Sequence, residues 1–293
     1  MPAPWQKLAF VNEHPRDKHI VFDEPTHVYT IKGSNKGWTS CTGFIHSFFG
    51  HFDPDAIIKK MMGSKKWPTS KYFGMTPEAI KAQWAANGAG ASEKGTAMHL
   101  AIEQYYNGAE HLIPPEIKAT KEWAMFMAFW NKVKDEIEPF RTEWEVYIED
   151  IKLAGSIDGV FRRKSDGAIL IYDWKRSREI KMDNTFQTGL GPLNHLPDCN
   201  YWHYSLQLNI YRYILENYYG CRVAGMYLVI LHPDQPTFKR MKLNWMDDEV
   251  NAMMECRRRA VEAGSDKLVL FEEELEEEEP DEPVPVKPMF KRR

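Results

Sequence analysis

Cysteine is scarce in this chain and lies scattered. Cys41, Cys199, Cys221 and Cys256 are the four in 293 residues, and no two stand in a C-x-x-C spacing. A zinc knuckle has no support, and free, partly buried thiols in a reducing compartment are the simplest expectation. Long apolar runs are missing as well: none comes near the roughly 20 residues of a membrane-spanning helix. The first residues, MPAPWQKLAF, hold neither a basic segment followed by an apolar one nor the Arg- and Ser-rich make-up of a transit peptide. A soluble, intracellular protein with no membrane partner is expected. No internal repeat is visible.

What is present is a core and an uneven charge. Hydrophobic residues make up 43% of the chain, enough for one large domain or two modest ones. The net charge of -4 is misleading. Residues 272–282, EEELEEEEPDE, hold nine acids and no base, and without them the remainder stands at +5. Four of those positive charges, Lys287, Lys291, Arg292 and Arg293, lie at the end of the chain. The body is nearly neutral, so a surface for a polyanion has to be a local patch.

Periodicity orders the rest. HIVFDEPTHVYTIKG alternates as a hairpin does, with a turn at Gly33-Ser34-Asn35. Ser and Thr precede the apolar run of WTSCTGFIHSFF, as at a helix start. Residues 53–90, rich in Lys, Gly and Trp, predict short helices and loops. A helix is predicted from about Ser92 to Asn107, with Gly108 past its end. Another follows Pro114-Pro115 to about Ile137, with Trp123, Phe126, Met127, Trp130 and Val133 as core. TEWEVYIED, LAGSIDGVFRR and AILIYDWKR then read as three strands, the last two joined at Ser165-Asp166-Gly167. A loop from Arg178 to Cys199, a helix ending at Gly220, strands in RVAGMYLVIL and FKRMKLNW, and a last helix capped by Asp247 complete the body. From about Phe271 the tail is acidic, then Pro-rich, then basic, and is expected to be disordered. The layout is α/β, a sheet with helices on its faces.

Chemistry concentrates in Gly155-Ser156-Ile157-Asp158-Gly159 and in Asp173-Trp174-Lys175. Alternate side chains of a strand share a face, so Asp173 and Lys175 point together and Trp174 points away. If the two strands pair, Asp158 comes close to Asp173. Two carboxylates that close repel unless a cation lies between them. A magnesium ion is held by such oxygens together with waters and substrate phosphate, and acidifies a water. Lys175 beside it is placed to orient or deprotonate that water, or to neutralise developing charge. A lone D-x-K more often marks a surface ion pair, and it is the strand context with GSIDG that raises the functional reading.

G-S-I-D-G-V-F followed by I-Y-D-W-K-R-S resembles the core of RecB-like PD-(D/E)xK nucleases, and is similar above all to the mitochondrial genome maintenance exonuclease type. Gly95-Thr96-Ala97-Met98-His99, with Glu103 after it, resembles the family's G-x-x-x-H helix. Ser205-Leu206-Gln207-Leu208-Asn209-Ile210-Tyr211 resembles its Q-x-x-x-Y helix, and Thr39-Ser40-Cys41-Thr42 its S-V-T helix start. The ordered set spans about residues 27–230. The resemblance implies a restriction-endonuclease-like core, a central mixed β-sheet flanked by helices, in residues 91–265. Residues 1–90 would be an N-terminal hairpin and helical region packing on it, and 266–293 the tail.

The resemblance also implies roles. Asp158, Asp173, His99 and the backbone carbonyl of Trp174 would bind Mg2+ or Mn2+. Glu143 would join them, preferred to Glu145 by its spacing to Gly155. Lys175 would be the catalytic lysine, and Gln207 and Tyr211, four apart on one helix face, would hold the lysine or the DNA. The scattered cysteines do not match the iron–sulfur cluster of some RecB-like nucleases, so none is expected.

Around the site, Arg162, Arg163, Lys164, Arg176, Arg178 and Lys181 are basic. Lys59, Lys60, Lys65, Lys66 and Lys71 interleave with Trp67, Tyr72 and Phe73, a pattern suited to a single strand and equally to a solvated loop. No base-reading module is visible, which disfavours sequence-specific cutting. The expected activity is a DNA exonuclease on single-stranded ends or flaps, in replication, repair or recombination. A structure-dependent endonuclease and a non-catalytic DNA-binding or scaffolding protein are the alternatives, with the acidic tail as a possible surface for a protein partner.

Overall fold

The computed structural model describes residues 6–265 and 268. Residues 1–5 and, apart from Leu268, the expected tail at 266–293 lie outside the described residues. The order is α1 (Lys7–Val11), β1 (Ile20–Asp23), β2 (Val28–Ile31), β3 (Thr39–Ser40), α2 (Cys41–His46), α3 (Pro54–Met62) and α4 (Pro77–Tyr106). There follow α5 (Pro115–Lys118), α6 (Lys121–Val133), β4 (Ile137–Ile148), β5 (Leu153–Arg163) and β6 (Ile169–Lys175). The chain continues through α7 (Asn200–Tyr218), β7 (Val223–Ile230), β8 (Lys239–Lys242) and α8 (Asp247–Glu262).

β1 and β2 form the expected hairpin, with Ile20 opposite Ile31. The main sheet runs β3-β5-β6-β7-β8, with β4 also paired to β5. It is mixed: β3 lies parallel to β5 and β6 to β7, and the other pairs are antiparallel. The alternation of β6 divides the core. Ile169 and Ile171 pack with α2, α7 and α8, whereas Leu170, Tyr172 and Trp174 pack with α4 and α6. Helices therefore cover both faces, as an apolar sheet buried on both sides requires.

Three differences from the sequence reading have physical causes. Residues 77–106 form one helix, so the expected boundary near residue 90 falls inside α4. Gly88 and Gly90 suggested loops, but each costs only about 1 kcal/mol relative to Ala in a helix. The surrounding alanines and the Thr76 cap, whose side chain accepts from the Ala79 N–H, favour continuation. Second, α6 stops at Val133, and Ile137 already belongs to β4, which pairs with β5 from Arg163 onward. Apolar spacing cannot separate a helix end from a buried strand start. Third, Asp247 is the first residue of α8 rather than its cap. Met246 holds the cap position without a side-chain bond, and Asp247 pairs with Arg212.

Candidate active site

The site lies at the C-terminal end of β6, beside the middle of β4 and β5 and against α4 and α7. β5 and β6 pair antiparallel up to Gly159 opposite Tyr172, so the next level sets Asp158 against Asp173. Asp158 is locked there: its Oδ2 accepts the Trp174 N–H at 3.0 Å. Asp173 is 2% exposed, and its carboxylate lies 2.8 Å from Lys175 Nζ. Both carboxylate oxygens face that ammonium, Oδ1 accepting from it at 3.0 Å and Oδ2 lying at 2.8 Å.

α4 brings His99 to the same strand end. Its Nε2 donates to the Trp174 carbonyl at 2.8 Å, because a carbonyl can only accept. Nδ1 then faces Asp158 Oδ2 at 3.5 Å and Glu143 Oε1 at 3.8 Å. The second Glu143 oxygen accepts from Ser156 Oγ at 3.0 Å. The Trp174 carbonyl, expected to face a metal, thus has the imidazole as its partner, while the Trp174 ring is buried in the α4–α6 layer.

On the other side, α7 presents Gln207 and Tyr211. Lys175 Nζ lies 3.5 Å from Gln207 Oε1, and Gln207 Nε2 donates to Tyr211 Oη at 3.3 Å. The reason for Gly155 is here. A Cβ on it would stand 2.7 Å from Tyr211 Cε1 and 2.8 Å from Cys41 Sγ, both buried, so only glycine lets the tyrosine ring lie on the strand.

The electrostatics follow from burial and proximity. Burial raises the Asp158 carboxyl, with Glu143 adding to it and His99 and Lys175 opposing. Burial and the neighbouring Asp158 raise Asp173 too, against Lys175. Burial alone would lower Lys175, but Asp173 and Asp158 outweigh it and hold the ammonium charged. Burial likewise works against a charged His99, yet Asp158, Glu143 and Asp173 together lift it to about 9. Two cations thus balance a carboxylate cluster that would otherwise repel itself.

This donor set fits a divalent metal. One ligand atom each from His99, Glu143 and Asp158 lie within 4.8 Å of one another. Mixed imidazole and carboxylate donors suit Mn2+ as well as Mg2+. Asp173 stands outside that trio, with both carboxylate oxygens turned to Lys175.

Sequence reasoning missed Tyr204, whose ring centroid is 4.4 Å from Lys175 Nζ. Its signal was there: Tyr204 precedes Gln207 by three residues and so shares its helix face. It also missed the Arg176–Glu122 pair at 2.8 Å, which ties the residue after Lys175 to α6. Glu145, the rejected alternative, lines a cleft of about 920 Å³ between the hairpin, α4 and β4, together with Glu103 and Glu143. Its carboxyl is raised to about 7 by burial and by Asp17. Among the described residues no helix is long and apolar enough to cross a membrane.

Among solved structures, the protein designated SSO0001 is 15% identical, with 76% of each chain covered and a TM-score of 0.31. A protein of Eubacterium rectale named as a candidate exonuclease is 11% identical, with 58% of this chain and 65% of that one covered and a TM-score of 0.37. A search of curated protein sequences finds no match. The family model of the PD-(D/E)XK nuclease superfamily matches residues 71–282, a span that contains α4, the β4–β6 strands and α7. With more than half of its length matched, this chain belongs to the PD-(D/E)XK nuclease superfamily.

Proposed function

We propose that the protein is a metal-dependent exonuclease that hydrolyses phosphodiester bonds at single-stranded DNA ends or flaps, in replication, repair or recombination. The observation that carries the reading is the convergence of His99, Glu143 and Asp158 beside the buried Asp173–Lys175 pair, at one strand end. His99, Glu143 and Asp158 would hold the ion, with Asp173 beside them paired to Lys175. When bound, Mg2+ or Mn2+ supplies Lewis acidity toward the phosphoryl oxygen and toward water.

The chain's own residues do the rest. Lys175 is held as an ammonium by Asp173, so its role is to offset charge that builds on the phosphate and to orient the attacking water, not to take its proton. Gln207 and the Tyr204 ring fix where that ammonium points. His99, anchored on the Trp174 carbonyl, keeps Nδ1 toward the carboxylates and sets the ring for ligation. A complete set of this kind argues against a binding-only protein.

The test is digestion of end-labelled linear and circular single-stranded DNA, with Mg2+, with Mn2+ and with chelator. Release of mononucleotides or short products from linear DNA, sparing of circles and silence in chelator are expected. Cutting of circles at a comparable rate would convert the reading to an endonuclease. No cutting of either under any metal would sink it.

A further inference from the structure

We infer that the segment from α3 through residue 73, together with the loop after β6, forms a docking surface for single-stranded nucleic acid, closed by Lys60 and Phe186. The inference rests on the nuclease reading for the identity of the strand, and adds where that strand lies outside the reacting centre.

The first observation is uncompensated charge. Lys59, Lys60, Lys65, Lys66 and Lys71 are all exposed. None of the five is in an ion pair among the described residues, and two lie over rings, Lys60 over Phe186 and Lys71 over Tyr72. The acids nearby are already engaged: Asp53 caps α3, and Asp55 pairs with Lys81. Five ammonium groups without a carboxylate partner on one short stretch complement a polyanion.

The second observation is that aromatic surface stands open between those charges. Phe186 is 84% exposed, Phe52 62% and Phe73 58%. Two rings of this stretch are held in place by their neighbours. Phe73 packs edge-on to Trp67 with centroids 6.0 Å apart, and the neighbouring Tyr72 Oη accepts from Trp84 Nε1 of α4 at 2.8 Å. A groove of about 570 Å³ beside them is lined by Ile57, Lys60, Met61, Lys66 and Trp67 among others. Rings that accept stacked bases, alternating with lysines that take phosphates, are what a single strand needs; a duplex keeps its bases inward.

The third observation places this surface next to the site. Lys60 Nζ lies 5.4 Å over the Phe186 ring, so α3 and the loop meet there. That loop starts directly after Lys175. It is laced to the start of α7 by the Lys181 N–H on Asn200 Oδ1 at 2.8 Å and by Trp202 Nε1 on the Met182 carbonyl at 3.3 Å. From the other side, the Phe49 ring sits 4.1 Å from that of His203, the neighbour of Tyr204. The surface across Lys60 and Phe186 therefore adjoins the loop that leaves the end of β6 carrying Lys175.

The test measures binding of the full chain to a labelled oligothymidylate of about 20 nucleotides in EDTA, across a salt series, with the same-length duplex as comparison. Phe186→Ala is expected to weaken single-strand binding about fivefold or more, the effect of losing one base stack. Lys60→Ala is expected to reduce the salt slope by about 0.7, one phosphate contact on a single strand. Both side chains are exposed, and unchanged melting curves exclude a folding effect. Unchanged single-strand affinity in Phe186→Ala together with an unchanged slope in Lys60→Ala overturns the inference, as does an equal loss on duplex. Because EDTA silences cleavage, these outcomes stand apart from whether the protein cuts DNA. Binding through Lys60 and Phe186 in a protein that cuts nothing would sink the nuclease reading and uphold this one.

Discussion

Glu143 faces Asp158 across the β4–β5 ladder, at the level between Thr142–Gly159 and Trp144–Ile157 where no Cα pairing forms. Its φ of 43° lies in the left-handed region, which a residue with a Cβ adopts against a penalty of about 1–3 kcal/mol. The distorted level turns the carboxylate toward His99 rather than along the strand. Glu143→Gly relieves the backbone and removes the ligand. It is expected to raise stability by about 1 kcal/mol, some 2–4 °C, while metal-dependent cleavage falls. Glu143→Gln keeps the strain, so it should lose activity without that gain. Melting curves and metal titrations of the two variants side by side check this; a glycine variant melting below the glutamine one would mean that the turn is unstrained.

His99 is anchored through one ring nitrogen and offers the other to the carboxylates. His99→Ala is expected to raise the half-saturating Mn2+ concentration about 10-fold or more, with DNA affinity in chelator unchanged. An unchanged metal requirement with altered DNA affinity would assign His99 to the DNA groove instead.

Asp158→Asn, Asp173→Asn and Lys175→Ala are each expected to lower cleavage by about 10²–10⁴-fold with the fold retained by circular dichroism. Removing both Asp173 and Lys175 should cost little beyond either alone, because the two act as one ion pair. Parental rates in any folded single variant would remove that residue from the site.

Much of this site could be read from the sequence because a strand writes its faces in alternation. Asp173 and Lys175 on one side of β6 and Trp174 on the other follow from period two, and Asp158 follows from the antiparallel partner. What sequence could not supply was the third dimension. Spacing to Gly155 favours Glu143 over Glu145, but nothing in EWEVYI says that its carboxylate turns to the imidazole, since that depends on one left-handed residue. Nothing in DWK says that Asp173 spends its carboxylate on Lys175 while His99, Glu143 and Asp158 gather their donor atoms. The long α4 was obscured by its glycines, whose small penalties are outweighed only when the whole helix is counted.

Gly155 offers a test of packing separate from the charges. Gly155→Ala drives a methyl into Tyr211 and Cys41, and overpacking a buried contact costs about 1–3 kcal/mol. The expected result is a lower melting temperature and a slower enzyme, since Tyr211 holds Gln207 and Gln207 reaches Lys175. Adding Cys41→Ala, which frees the volume of the sulfur, should recover part of the stability. A Gly155→Ala protein as stable as the parent would show that the tyrosine has room to move.

Glu103, one helical turn beyond His99, carries a pH signature. Burial, with Glu143 and Glu24 adding to it, raises its carboxyl from 4.5 to about 8. The unfolded chain releases this proton near 4.5 and the folded chain only near 8, so the folded state binds more protons in between. Stability from this group is therefore present below 4.5 and is lost as pH rises toward 8. Glu103→Gln keeps the shape without the charge. In chelator it should melt like the parent near pH 5 and above it near pH 8, by on the order of 1 kcal/mol after allowance for partial solvent exposure. A stability difference that is the same at both pH values would mean that Glu103 titrates as an ordinary surface carboxylate. A glutamine variant less stable at pH 8 would mean that the ionised side chain makes a contact the fold needs.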